Sequence, residues 1–133
     1  MKLLVVGGGG REHAIIRSLK KNPDVETIYA LPGNGGIAAD ATCVNISATD
    51  IEKIVDFAVE NQIDYAVVAP DDPLVLGCVD ALEAKGIPCF GPKANAAIIE
   101  IAIKSVKTFF ILISLHDEYY YALYFKLFLF FCQ

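Results

Sequence analysis

Positive charge is scarce and scattered in this chain of 133 residues: 11 Lys and Arg stand against 16 Asp and Glu, the net charge is −5, and no basic cluster exceeds the pair Lys20-Lys21. The electrostatic footprint of a nucleic-acid binder is missing, so no nucleic-acid partner is expected and any phosphate must be held by a local device. The four cysteines, Cys43, Cys78, Cys89 and Cys132, form no C-x-x-C pair, and no cationic stretch at the N-terminus leads to a cleavage site. No metal site is expected, and the simple expectation is a cytoplasmic protein with reduced thiols. Cys43 and Cys89 lie in apolar runs and read as small core residues. A membrane span is lacking too. Residues 108–115 form the longest uncharged run before His116-Asp117-Glu118, and Lys126 interrupts the next, whereas a spanning helix needs ~20 apolar residues. Finally, residues 101–133 have none of the 10 glycines or 6 prolines yet hold ten of the fourteen Phe and Tyr residues. The chain therefore divides into residues 1–100, with the turn punctuation of one α/β domain, and an apolar aromatic segment without cap, turn or clean period.

What is present begins at the first residue. In the run MKLLVVGGGGREHA, residues 2–6 are apolar and rich in branched side chains, as in a strand covered on both faces. Four glycines follow, Gly7, Gly8, Gly9 and Gly10, which allow a sharp turn and leave backbone N–H groups open to whatever lies above them. From Arg11 the pattern is helical, and a helix start presents unsatisfied N–H groups and a positive dipole end to an anion. The spacing rejects the dinucleotide fingerprint, because Glu12 or His13 falls where its last glycine belongs. No carboxylate closes the second strand either, since residues 26–30 run into Leu31-Pro32-Gly33-Asn34. Nothing there would hold the ribose diol of NAD.

Along the rest of the first hundred residues, strand and helix alternate. A helix over residues 12–21 has Ala14, Ile15 and Leu19 as inward positions and stops at Asn22-Pro23, and a second strand covers residues 25–30. The loop over residues 31–36, with Pro32 and three glycines, suits a ligand-facing connection as well as it suits an ordinary turn. Residues 43–46 form a brief strand. Thr49 with Glu52 makes a capping box for a helix whose Ile51, Ile54, Val55, Ala58 and Val59 share one face. A fourth strand over residues 65–69 breaks at Pro70-Asp71-Asp72-Pro73. The next helix starts at a proline, packs through Leu74, Val75, Val79 and Leu82, and ends at Gly86. A strand over residues 87–90 and a helix over residues 94–100 complete the series. This alternation predicts an α/β, Rossmann-like parallel sheet with right-handed crossovers and helices on both faces. Ligands then sit at the carboxyl ends of the strands, where the loops 7–10, 32–36 and 70–73 fall.

Four segments taken together resemble a known family. They are Val6-Gly7-Gly8-Gly9-Gly10-Arg11-Glu12-His13-Ala14, then Pro32-Gly33-Asn34, then Val68-Ala69-Pro70-Asp71-Asp72-Pro73-Leu74-Val75, then Phe90-Gly91-Pro92-Lys93 with Ala96-Ala97 and Glu100. In this order and at these separations they resemble phosphoribosylamine–glycine ligase, also called glycinamide ribonucleotide synthetase, of purine biosynthesis. The resemblance implies that residues 1–100 are the family's N-terminal domain, which precedes an ATP-grasp domain. In the family, ATP converts the carboxylate of glycine to an acyl phosphate, and the amine of 5-phosphoribosylamine attacks it to give the amide, ADP and phosphate. ATP and Mg²⁺ belong to the ATP-grasp part, so neither is expected on these residues, and no catalytic residue is assigned here.

The same resemblance makes Gly8, Gly9, Gly10, Arg11, Glu12, His13, Pro32, Gly33, Asn34, Pro70, Asp71, Pro73 and Leu74 the candidate substrate-binding residues. The Gly8, Gly9 and Gly10 N–H groups and the helix start would take the phosphate of the phosphoribosyl group. Arg11 would either add charge-assisted hydrogen bonds or stay solvated. Glu12 would contact a ribose hydroxyl or His13, or cap the helix, and His13 would have a structural role within the loop. Asp71 stands where the family usually has Glu, and Ala69 where Gly is common.

After Glu100 the likeness stops. The family continues Glu-Gly-Ser-Lys into a helix of the ATP-binding domain, whereas this chain reads Ile101-Ala102-Ile103-Lys104. With permitted codons, residues 101–109 can be written so that a shifted frame reads Ser-Asn-Lys-Val-Ser-Lys-Asn-Leu, which resembles that continuation. The expectation is therefore a fragment of the ligase with the ATP-grasp domain missing and a frameshifted tail over residues 101–133. The competing readings are a stand-alone nucleotide-binding module, a non-functional gene remnant, and a tail that covers the sheet or joins copies.

Overall fold

The computed structural model describes residues 1–114, with side chains described through residue 108. Within residues 1–98, one compact unit, the chain forms five parallel strands and their connections. Strand β1 (Lys2–Gly7) leads into helix α1 (Gly10–Leu19) and strand β2 (Thr27–Pro32); a 3-10 turn (Ile37–Ala39) precedes β3 (Thr42–Cys43). Helix α2 (Ile51–Glu60), strand β4 (Tyr65–Val68), helices α3 (Asp71–Val75) and α4 (Cys78–Ala84), strand β5 (Cys89–Phe90) and helix α5 (Ala94–Ser114) follow.

The sheet order is β3-β2-β1-β4-β5, with Val5 level with Ala30 on one side and Val67 on the other. Alternation along each strand sends side chains to two faces, and both faces are apolar. Leu4, Val6, Leu31, Ala66 and Val68 pack with Ile54 and Ala58 of α2 and Val79 and Leu82 of α4. Leu3, Val5, Ile28, Ala30 and Val67 pack with Ile16 of α1 and Ile37 of the 3-10 turn. The predicted parallel α/β sheet with helices on both faces is the observed one.

Several local expectations need correction. On α1, Ala14 is exposed and Ile16 is the fully buried anchor, with Ile15 and Leu19 half-buried beside it. The helix starts two residues before Glu12, at Gly10, and its inward face is marked by the buried Glu12 and Ile16 one turn apart. The cap of α2 is Asp50, not Thr49: its carboxylate accepts from the Lys53 N–H at 3.3 Å and from the Lys53 ammonium at 2.6 Å, while Thr49 shares a hydrogen bond with Ser47. Val59 at the end of α2 is exposed. The strand expected over residues 43–46 is only Thr42–Cys43; Val44 still donates its N–H to the Ala30 carbonyl at 2.9 Å before the chain leaves the sheet.

The single helix expected from Pro73 to Gly86 is two, because Gly77 adopts a left-handed φ of 82° and redirects the chain between them. At the end of α4, Gly86 donates to the Glu83 carbonyl and Ile87 to that of Leu82, with Leu82 and Ile87 buried against the same core. This is a Schellman end, and it satisfies carbonyls the helix leaves open. Cys43 and Cys89 are half-buried against the two cores, as expected of small core residues, and Cys78 is fully buried.

Helix α5 runs past the expected limit at Glu100 to Ser114, with a Lys104–Glu100 ion pair at 2.9 Å along it. Residues 115–133, most of the aromatic tail, lie outside the described residues. Among the described residues, no helix is long and apolar enough to cross a membrane.

Candidate phosphate-binding site

Strand order alone fixes where a ligand pocket forms. Connections leave β1 toward β2 on one side and β4 toward β5 on the other, so the switch point at which sheets of this kind take ligands lies between the carboxyl ends of β1 and β4. The glycine loop after β1 and the proline loop after β4 border it, and the loop after β2 closes it from the side. Both borders crowd Gly7: a side-chain carbon there would meet Glu12 Cγ at 2.7 Å and Pro70 Cγ at 2.8 Å.

The glycine loop becomes α1 through a cap made within its own first turn. Glu12 turns back so that Oε2 accepts the Gly9 N–H at 2.7 Å, and the His13 N–H goes to the Gly9 carbonyl at 3.1 Å. The N–H groups of Gly10, Arg11 and Glu12 remain without a partner among the described residues, the usual state of a helix start. Gly9 and Gly10 are exposed, and a side-chain carbon on Gly10 would meet nothing within 4 Å. Space and donors therefore coincide at the positive end of a ten-residue helix.

Two charged residues frame this spot very differently. Arg11 is exposed, its Nε 4.0 Å from Glu12 Oε1. Glu12 is only 2% exposed, and its Oε1 has no hydrogen-bond partner. One oxygen of a buried carboxylate thus caps the loop while the other, without a hydrogen bond, lies 4.0 Å from the Arg11 guanidinium.

The second loop is fastened onto the first. Gly33 donates its N–H to the Gly7 carbonyl at 3.3 Å, and Asn34 Nδ2 donates to the Gly8 carbonyl at 2.6 Å. The approach is close enough that a side-chain carbon on Gly8 would lie 2.5 Å from the Gly33 carbonyl oxygen. Farther along, His13 Nε2 and Lys20 Nζ each lie 3.0 Å from a different oxygen of Asp40. Those hydrogen bonds, His13 first and then Lys20, hold the Asp40 carboxyl below the usual carboxylate range.

The structure thus brings together Gly8, Gly9, Gly10, Arg11, Glu12, His13, Pro32, Gly33, Asn34 and Pro70. Asp71 is exposed at the start of α3, while Pro73 and Leu74 are buried, with Leu74 in the core beneath the sheet. Asp40 and Ile37, which tie the second loop down, carried no motif. Their only signal was the presence of a histidine one turn into α1, in need of an acceptor. Burial pushes the Cys78 thiol up to about 12 and Cys89 to about 11, so neither is a nucleophile near neutral pH.

Sheet order, the glycine loop and its helix start define a Rossmann-like α/β domain. The family described as Phosphoribosylglycinamide synthetase, N domain, matches residues 1–100, and the chain belongs to that family. Among its relatives, a phosphoribosylamine–glycine ligase of Caldanaerobacter subterraneus subsp. tengcongensis is 55% identical over 100 residues, which are 75% of this chain and 24% of the relative. One from Listeria monocytogenes serotype 4b is 52% identical over 101 residues, again 75% of this chain and 24% of the relative. The trifunctional purine biosynthetic protein adenosine-3 of Drosophila melanogaster is 48% identical over 113 residues, 81% of this chain and 8% of that protein. The chain thus spans about a quarter of the length of the curated ligases it matches.

Proposed function

We propose that residues 1–100 bind the phosphoribosyl group of 5-phosphoribosylamine and serve as the substrate-side domain of an ATP-dependent, cytoplasmic ligase that joins it to glycine in purine biosynthesis. The observation that carries this reading is Gly10: an exposed glycine with nothing within 4 Å of where its side chain would be, next to helix N–H groups without partners. A phosphate fits that space, and the Gly10, Arg11 and Glu12 N–H groups supply hydrogen bonds without any mobile side chain having to order. Arg11 adds charge from the exposed side. Pro32, Gly33 and Pro70 wall the ribose, and the ligase name of the relatives supports the choice of sugar phosphate.

In such a reaction ATP with Mg²⁺ supplies the phosphoryl group that activates the glycine carboxylate. The described residues gather no group of three His, Cys, Asp or Glu side chains able to hold a metal ion. On this reading the domain's part is to bind and orient the sugar phosphate.

Calorimetric titration of the full chain with ribose 5-phosphate, ribose and AMP tests the reading. Ribose 5-phosphate binds, ribose does not, and Gly10→Ala abolishes binding without lowering the stability of the fold. Absence of ribose 5-phosphate binding by a folded chain refutes it, and tighter binding of AMP assigns the loops to a nucleotide instead.

A further inference from the structure

Asn34 is engaged at both ends of its amide. Nδ2 donates to the Gly8 carbonyl at 2.6 Å, and Oδ1 accepts the Ile37 N–H at 2.8 Å. Because one partner can only accept and the other can only donate, the orientation of the amide is fixed by its neighbours. Aspartate cannot make both bonds when ionised, and serine or alanine cannot span them. The segment that follows has its own anchors: Ile37 is fully buried in the sheet core, and Asp40 is held by His13 and Lys20. Loss of the Asn34 amide therefore does not release the segment.

The bond to Gly8 falls one residue before the helix cap and two before the open Gly10. A carbonyl oxygen at that place carries partial negative charge close to where an anion would sit. Donation from Asn34 offsets it and also fixes the plane of the Gly8–Gly9 peptide, from which the run of N–H groups begins. We infer that Asn34 is the positioning residue of the anion loop, acting through the Gly8 carbonyl to hold the loop in its phosphate-accepting form; the inference rests on the sugar-phosphate reading above.

The test uses the full chain with ribose 5-phosphate as probe, in wild type, Asn34→Asp and Asn34→Ala. Asn34→Asp keeps the acceptor for Ile37 but places a carboxylate oxygen against the Gly8 carbonyl. Its affinity at neutral pH falls by more than the roughly tenfold loss expected for Asn34→Ala, which removes one hydrogen bond to the glycine loop together with the one from Ile37. On acidification the aspartic acid regains an O–H donor, so the ratio of Asn34→Asp to wild-type affinity rises toward one along a single carboxyl titration. Taking the ratio removes the titration of the probe's own phosphate. Equal affinity of Asn34→Asp and wild type, or a loss that does not recover with acid, overturns the inference.

Hydrogen exchange without ligand separates this from failure of the functional reading. The Gly33 N–H, bonded to Gly7 across the same strap, exchanges faster in both variants, while the Ile37 N–H stays protected in Asn34→Asp only. If wild type does not bind the probe, the sugar-phosphate reading falls. If Gly33 exchange is also unchanged, the strap falls with it.

Discussion

Adding one methyl group at Gly8 tests how tightly the two loops are locked. In Gly8→Ala the new carbon lies 2.5 Å from the Gly33 carbonyl oxygen, against an ordinary contact of 3.4 Å or more, so the loops must part by about 0.9 Å. The obstacle is backbone and cannot rotate away. That separation takes the Gly33-to-Gly7 bond, already 3.3 Å, out of range and stretches the 2.6 Å bond from Asn34 to its limit. At about 1 kcal/mol each, the loss is about 2 kcal/mol. Gly8 is not among the residues with positive φ, so no backbone strain enters the sum. For a domain of this size the thermal midpoint falls by roughly 8–16 °C. Gly10→Ala is the control: its side chain meets nothing within 4 Å, and replacing glycine in the first turn of α1 is neutral or stabilising by up to about 1 kcal/mol. Denaturant and thermal unfolding of the two variants beside wild type give the answer. A Gly8→Ala chain that unfolds within about 0.5 kcal/mol of wild type refutes the steric lock.

Two further outcomes follow from the fold. Leu82→Ala removes a fully buried side chain that packs in the core with Ile87 at the end of α4, and the loss in unfolding free energy is about 2–5 kcal/mol; a loss under about 1 kcal/mol would show that the site collapses around the cavity. Asp40 has a lowered pKa, so its contribution to stability is complete above the ordinary carboxylate value of about 3.9 and is lost as pH falls through its folded value. The stability advantage of wild type over Asp40→Asn therefore shrinks on acidification below about pH 4, and a difference independent of pH in thermal unfolding contradicts the pairing with His13 and Lys20.

The sheet was legible because its strands are nearly pure apolar runs between strong punctuation, and residues 2–6 and 65–69 admit few other readings. Helix faces were harder. In α1 the alanine and two isoleucines at residues 14–16 satisfy more than one rotation, and the true start at Gly10 follows from a Glu12-to-Gly9 cap that has no serine, threonine or aspartate to announce it. The break at Gly77 was hidden for a similar reason, since a lone glycine inside a helical pattern is compatible with continuing or turning. At Asp50 two adjacent capping residues competed, and the carboxylate one residue later won through its second bond to the Lys53 ammonium.

Of the candidate site, the glycine run was readable as a sharp turn into a helix start, and the loops 32–36 and 70–73 were placed at the same rim. Their roles were not readable. Pro73 and Leu74 stand in the matching segment but face the core, because α3 begins at Asp71 and turns them inward. The strap from Asn34 to Gly8 joins residues 26 apart in sequence, and no local pattern encodes it.

Because the glycine loop is shaped partly by a neighbour from another strand, it is not a portable cassette. The carbonyl of Gly33 leaves no room for a side chain at Gly8, and Asn34 holds the Gly8 carbonyl in place. Transplanting residues 7–13 alone onto another parallel sheet would carry the amino acids and leave behind the geometry. A workable graft needs residues 33–40 as well, down to the aspartate that grips α1, together with two adjacent strands in the register of Gly7 with Pro32. The smallest transferable unit of this site is thus a βαβ module with its trailing loop.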